Sequence, residues 1–239
     1  MSSLDVRGRG LVAIGDSITR GAGEAMLGLR MQSWALWLAE ALELPYTCLA
    51  RDGARAADAL ATQVPRLRGP YDLGCVYLGV NDVRSPDFEP AAFADALREV
   101  LAAVAESCSA LLLIALPRAI GVPPAPASAI ATANEEIARR VQEHGAALVQ
   151  LGPLAGPELV YPDRVHLTAR GEAHIALSAC AALRPTGMRA DERDLQRALE
   201  PLTPGARARW LLGGRVPHLA RDLRRRARER TGPPLGETG

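Results

Sequence analysis

The chain has 239 residues with 28 basic and 27 acidic side chains, and every basic one is arginine. A lysine-free chain excludes phosphate-binding P-loops, the protein-kinase ATP site, pyridoxal Schiff bases and Ser-Lys hydrolase dyads, all of which need that amine. Its composition, 48% hydrophobic and 23% charged, is globular, and its length suits one domain, or one with an appendage, without disulfide staples.

Short apolar runs at 11–15, 46–50, 73–78, 111–116 and 147–151 read as strands. Amphipathic segments lie between them at 33–44, 54–64, 90–107 and 128–144, and a last helix is expected over 168–183. Ser33 is placed as an N-cap ahead of Trp34, Leu36, Trp37 and Leu38. Pro90 suits a first helical turn, where its missing N–H costs nothing. Residues 117–127, rich in Pro and Ala, read as the loop after the fourth strand. Strand and helix alternating along the chain predict an α/β fold: a three-layer α/β/α sandwich around a parallel sheet, with right-handed crossovers. Trp34 and Trp37 read as core residues, the alternative being that Trp34 lines a pocket behind the long loop 18–32.

The charge changes near Arg184-Pro185. Residues 1–184 carry 16 Arg against 20 acids, and residues 185–239 carry 12 Arg against 7. This predicts a domain over 1–184 and a helical, Arg-rich C-terminal extension over 185–239, with helices at 191–199 and 217–230. In the extension Arg221, Arg224, Arg225, Arg226, Arg228 and Arg230 crowd together, with Leu219 and Leu223 on one helical face. Three readings stay open: a solvated helix packed on its own domain, a peripheral membrane or acidic-partner contact, and nucleic-acid binding. The last is disfavoured, because no nucleic-acid motif accompanies the arginines and aromatics are only 4%.

Cys48, Cys75, Cys108 and Cys180 form no CxxC pair and read as isolated thiols. His144 precedes Gly145 at a helix end, His174 lies in the last helix and His218 in the extension. No metal-ligand spacing appears, so neither a metal nor another cofactor is expected. The first apolar run is too short for a signal peptide and no run spans a membrane, which makes a cytoplasmic protein the expectation.

The chemistry concentrates at strand ends. The first strand runs into Gly15-Asp16-Ser17, the second into Arg51-Asp52-Gly53 and the third into Gly79-Val80-Asn81-Asp82. In an open parallel sheet, ligands bind beyond the carboxyl ends of the strands. Asp163-Arg164-Val165-His166 precedes the last helix. Ser17 alone would read as a turn serine, and His166 alone as a surface histidine; together with a nearby acid they suit nucleophilic catalysis. A serine hydroxyl needs a base to take its proton, His166 is the candidate, and Asp163 three residues earlier can reach its other ring nitrogen. Asp16 and Asp82 read as bracing groups.

These four blocks, in this order, resemble the SGNH (GDSL-type) hydrolase family over roughly residues 10–183. The resemblance implies a five-stranded parallel sheet of order 2-1-3-4-5 and the Ser17–His166–Asp163 triad. It also implies an oxyanion hole from the backbone N–H groups of Ser17 and Gly53 and the side chain of Asn81, with Asp16, Gly79 and Asp82 supporting. Arg51-Asp52 stands where the family often has Asn or another small polar residue before the glycine. An α/β-hydrolase elbow would need GxSxG, whereas Thr19 holds the fifth position here. The implied activity is serine esterase or acyl hydrolase on a small-molecule acyl ester. Two alternatives stand beside it. One is acyl transfer from the same site. The other is a non-catalytic module that recruits an anionic partner through the Arg-rich extension. Oligomeric state is not legible.

Overall fold

A computed structural model describes residues 9–212, apart from Glu24, Gly152, Pro153 and Ala155. The helix expected over 217–230, with its arginines and His218, lies outside the described residues. In chain order the elements begin with β1 (Leu11–Gly15), α1 (Ser17–Arg20), α2 (Trp34–Ala41), β2 (Tyr46–Cys48) and α3 (Ala56–Thr62). Next come β3 (Tyr71–Tyr77), α4 (Val80–Val83), α5 (Pro90–Ser107), β4 (Cys108–Ile114) and α6 (Ala127–His144). The series closes with β5 (Ala147–Val149), α7 (Ala169–Leu183), α8 (Arg193–Ala198) and α9 (Pro204–Trp210).

The five strands form one parallel sheet of order β2-β1-β3-β4-β5. β1 is buried along its whole length. That is why Leu11-Val12-Ala13-Ile14 runs apolar without alternation: a parallel sheet is covered on both faces. α2 and α7 pack together on one side, and α3, α5 and α6 pack in sequence on the other, giving the expected three layers.

Local chemistry starts and stops the helices. Ser33 Oγ accepts from Leu36 N at 3.1 Å, capping α2 as predicted. Thr168 Oγ1 does the same for Gly171 N at 3.2 Å, at the head of α7. Pro90 opens α5 in the first turn, and Gly145 ends α6 in the left-handed region at φ 60°. Strand bounds shift modestly from the expectation. β2 stops at Cys48 rather than 50, yet Leu49 N still donates to Ala13 O at 2.9 Å and Arg51 N to Gly15 O at 3.2 Å. The chain therefore tracks β1 past the end of the strand. β3 and β4 begin two and three residues before the expected 73 and 111, because Tyr71 and Cys108 already pair in register.

After α7 the chain does not leave the body. Leu195 and Ala198 of α8 join the main core, and α8 packs on both α2 and α7. Arg170 of α7 donates to the carbonyls of Ala198, Leu199 and Glu200 at 2.9–3.0 Å. Trp34 is fully buried and Trp37 nearly so, which settles both as core residues. The four cysteines are free thiols. Among the described residues no helix is long and apolar enough to cross a membrane.

Candidate active site

The site is built on the carboxyl end of the sheet. β1 ends at Gly15, where an added Cβ would collide with the Thr19 side chain and lie 2.8 Å from Tyr77 O. Only glycine lets the chain turn that tightly between two strands. Asp16 then adopts an extended conformation and caps α1, its Oδ1 accepting from Ile18 N at 2.9 Å. Ser17 is thereby the first residue of a four-residue helix, its hydroxyl turned to the sheet's rim. Asp16 is buried, and that burial lifts its pKa to about 6 against the pull of its hydrogen bonds and of His166.

His166 arrives from a tight reversal at the other end of the chain. Val160 and Leu167 bridge antiparallel, Tyr161 N donates to His166 O at 2.9 Å, and Arg164 N donates to Tyr161 O at 2.9 Å. Arg164 sits at φ 54°, a left-handed conformation uncommon for a non-glycine residue. The reversal places Asp163 under His166. Asp163 Oδ1 accepts from the amides of Val165 at 3.0 Å and His166 at 3.1 Å, while Oδ2 lies 2.7 Å from His166 Nδ1. His166 Nε2 stands 2.9 Å from Ser17 Oγ.

The charges fit this chain of contacts. Burial pushes the Asp163 carboxyl up, but the His166 ring and the two backbone amides together hold it below its ordinary value. It is therefore a carboxylate and only accepts, so the ring's Nδ1 carries the proton and Nε2 offers its lone pair to Ser17. The His166 pKa is raised, chiefly by the hydrogen bond to Asp163, with burial opposing and Asp16 assisting.

The other blocks converge on the same rim. Gly53 occupies an exposed turn at φ 73°, with open space where a side chain would stand. Asn81 lies in α4; its Nδ2 donates to Asp16 Oδ2 at 3.0 Å and to Ala54 O at 3.1 Å. Both amide hydrogens are engaged, so Asn81 reaches an oxyanion only by giving up one of these acceptors. Asp82 accepts from Ala56 N at 3.1 and 3.3 Å and so braces the start of α3, next to Gly53. Burial lifts its pKa to about 6. Gly79 caps α4 at φ 113°, with Leu116 and Phe93 3.3 Å from the place of a Cβ.

Two buried residues take part that the sequence did not announce. Gln63 follows α3, and its amide bonds both main-chain atoms of Gly15: it accepts from Gly15 N at 3.0 Å and donates to Gly15 O at 2.8 Å. Glu172 of α7 is fully buried and accepts from Trp34 N at 2.8 Å, tying the helix behind His166 to the head of α2. Its other oxygen has no hydrogen-bond partner among the described residues, and burial raises its pKa well above the ordinary carboxylate value. An acid in a first helical turn is ordinarily read as a partner for the helix dipole, so nothing marked Glu172 as buried.

A small cavity of about 20 Å³ is lined by Ile18, Val80, Ile120, Arg164 and Val165 among others, and by none of Ser17, Asn81, Asp163 and His166. Loop 22–32 leaves the turn after Ser17 at Gly21 and returns at Ser33. Its two ends touch: a Cβ on Gly21 would stand 2.9 Å from Ser33 N.

The model of the GDSL-like lipase/acylhydrolase family matches residues 13–174, well over half of the chain. No curated protein matches in sequence. Solved structures do match. The chain is similar to LAE5, described as an alpha/beta hydrolase enzyme from the metagenome of Lake Arreo in Spain (TM-score 0.57, 23% identity, 72% of this chain and 93% of that one). It is similar to Axe2, an acetylxylan esterase from Geobacillus stearothermophilus (0.55, 19%, 72% and 93%), and to TesA (0.60, 20%, 73% and 98%). At these identities the likenesses speak for the fold. The family match spans all four sequence blocks and ends within α7, on the sheet order that the resemblance implied. The chain belongs to the GDSL-like lipase/acylhydrolase family and is a carboxylic ester hydrolase.

Proposed function

We propose that the chain cleaves carboxylic esters through an acyl-serine intermediate on Ser17. The observation that carries this reading is the chain of contacts from Ser17 Oγ to His166 Nε2 at 2.9 Å and from His166 Nδ1 to Asp163 Oδ2 at 2.7 Å. His166 Nε2 takes the hydroxyl proton as Ser17 Oγ bonds to the ester carbonyl carbon. The carbonyl oxygen becomes an oxyanion, received by the N–H groups of Ser17 and Gly53 and by Asn81 Nδ2, which releases Ala54 O and keeps Asp16. On collapse the carbon–oxygen bond to the alcohol breaks, and the Nε2 proton passes to the leaving oxygen. Water then repeats the sequence: it loses a proton to His166, attacks the acyl carbon and frees Ser17. Asp163 stays ionised throughout and steadies the imidazolium.

We place the hydrolase domain over 1–184, with 185–239 as its helical extension. The test assays p-nitrophenyl acetate hydrolysis with wild type and Ser17→Ala. A folded Ser17→Ala that kept full activity, or that still took a fluorophosphonate label, would refute the nucleophile.

A further inference from the structure

We propose that Gln63 is a positioning residue for catalysis, setting the nucleophile turn against the oxyanion donors. The inference rests on the reading of Ser17, Gly53 and Asn81 given above. It begins with the sheet. Leu11, Ala13 and Gly15 turn their main-chain polar groups toward β2, as shown by Leu11 N donating to Pro45 O, and Ala13 O and Gly15 O accepting from Leu49 N and Arg51 N. β2 pairs with β1 only as far as Ala13. The Gly15 N–H therefore points to an edge where the neighbouring strand has ended. A buried amide N–H without an acceptor is rare and costly.

Gln63 fills that gap. Its side chain is fully buried, and its amide exchanges two hydrogen bonds with Gly15, as the backbone of a paired strand residue would. The rest of α3 makes this contact relevant to chemistry. The first amide of α3, Ala56 N, is held by Asp82 of α4. Asn81, next to Asp82, donates to Asp16 and to Ala54 O, and Asp16 follows Gly15. The contacts close a ring: Gly15, Gln63, α3, Asp82, Asn81, Asp16 and back to Gly15. Each of the three oxyanion donors stands on this ring or within three residues of it. Gln63 is its one side-chain link that belongs to none of the four sequence blocks.

A donor set acts on the transition state only if its members hold their relative places. Opening the ring at Gln63 frees the end of β1 to shift, and displacement by about 1 Å is enough to lose about 100-fold in rate. Substrate binding far from the oxyanion is untouched. Loss of Gln63 therefore falls on kcat and spares KM.

The test uses the full chain, p-nitrophenyl acetate and a phenylboronic acid, which forms a tetrahedral adduct on the serine. Gln63→Met keeps length and removes both bonds. Gln63→Glu keeps the shape, and its protonated form keeps both bonds. Gln63→Met should lose about 10- to 100-fold in kcat per fluorophosphonate-titratable site, with KM within about twofold and boronate affinity falling in step with kcat. The Gln63→Glu rate, taken as a ratio to wild type so that His166 cancels, should fall as pH rises and the buried carboxyl ionises. Unchanged kcat per titratable site in Gln63→Met, whatever happens to Tm, would overturn the proposal. If Gln63→Met yields no folded protein, a Gln63→Glu ratio that stays flat with pH overturns it instead. Either result leaves the nucleophile reading standing, because that reading depends on Ser17→Ala and its loss of labelling.

Discussion

Replacing Asp163 by Asn tests the geometry most sharply, because it alters one atom and inverts one hydrogen bond. Oδ1 is retained, and with it the acceptor for the amides of Val165 and His166 that holds the reversal. Oδ2, 2.7 Å from His166 Nδ1, becomes an NH₂ group that can only donate. The ring answers by presenting its lone pair at Nδ1 and its proton at Nε2, facing Ser17 Oγ at 2.9 Å. In that tautomer His166 has nothing with which to accept the hydroxyl proton. The same exchange in a Ser-His-Asp triad lowers kcat about 10⁴-fold, which is about 5.5 kcal/mol of barrier. The pH profile should move too. Wild-type activity falls on the acid side as His166 takes up a proton, at a pKa raised chiefly by Asp163. With the carboxylate gone, burial dominates and the imidazole pKa drops. The residual activity of Asp163→Asn should then persist to lower pH than that of the wild type. The assay is kcat/KM on p-nitrophenyl acetate across pH, with circular dichroism confirming the fold. A variant within tenfold of wild type, with its acid limb unmoved, would refute the triad as described.

Two further outcomes are expected. Asn81→Ala removes one of the proposed oxyanion donors and should lower kcat about 10²–10³-fold; a loss under threefold would remove Asn81 from the oxyanion hole. Glu172→Gln addresses stability. The folded chain holds a proton on Glu172 that the unfolded chain releases above its ordinary carboxylate value. This group's contribution is therefore fully present at low pH and is lost as pH rises toward its folded value. The amide does not titrate and still accepts from Trp34 N, so the Tm difference between the two proteins should shift in the variant's favour as pH rises above the ordinary carboxylate range. Parallel Tm curves for the two proteins would contradict a protonated Glu172.

What was legible in the sequence was local or carried by motif. β1 and α5 were read residue for residue, the first from an unbroken apolar run and the second from Pro90 and a long amphipathic stripe. Ser33 announced its helix because a cap is a contact across three residues. The contact chain from Ser17 through His166 to Asp163 was legible because Asp163 and His166 share one turn and Ser17 follows a strand. The helices α1 and α4, four residues each, were missed because one turn is too short to show a period. Gln63 and Glu172 were missed for another reason. Their partners are main-chain atoms 48 and 138 positions away, and no local pattern encodes such a pairing.

The meeting of Gly21 with Ser33 has a consequence for how such an enzyme diversifies. Gly21 N is held by Ser17 O and Ile18 O, and Ser33 is fixed as the cap of α2, whose first amide Glu172 holds. The segment between them begins and ends at one point in space. Its length is then almost decoupled from the position of the nucleophile, since a closed loop gains residues at a small and slowly growing entropic cost. Residues 22–32 can therefore change in length without moving Ser17, so long as the packing of Met26 and of Gly23 against Leu167 is kept.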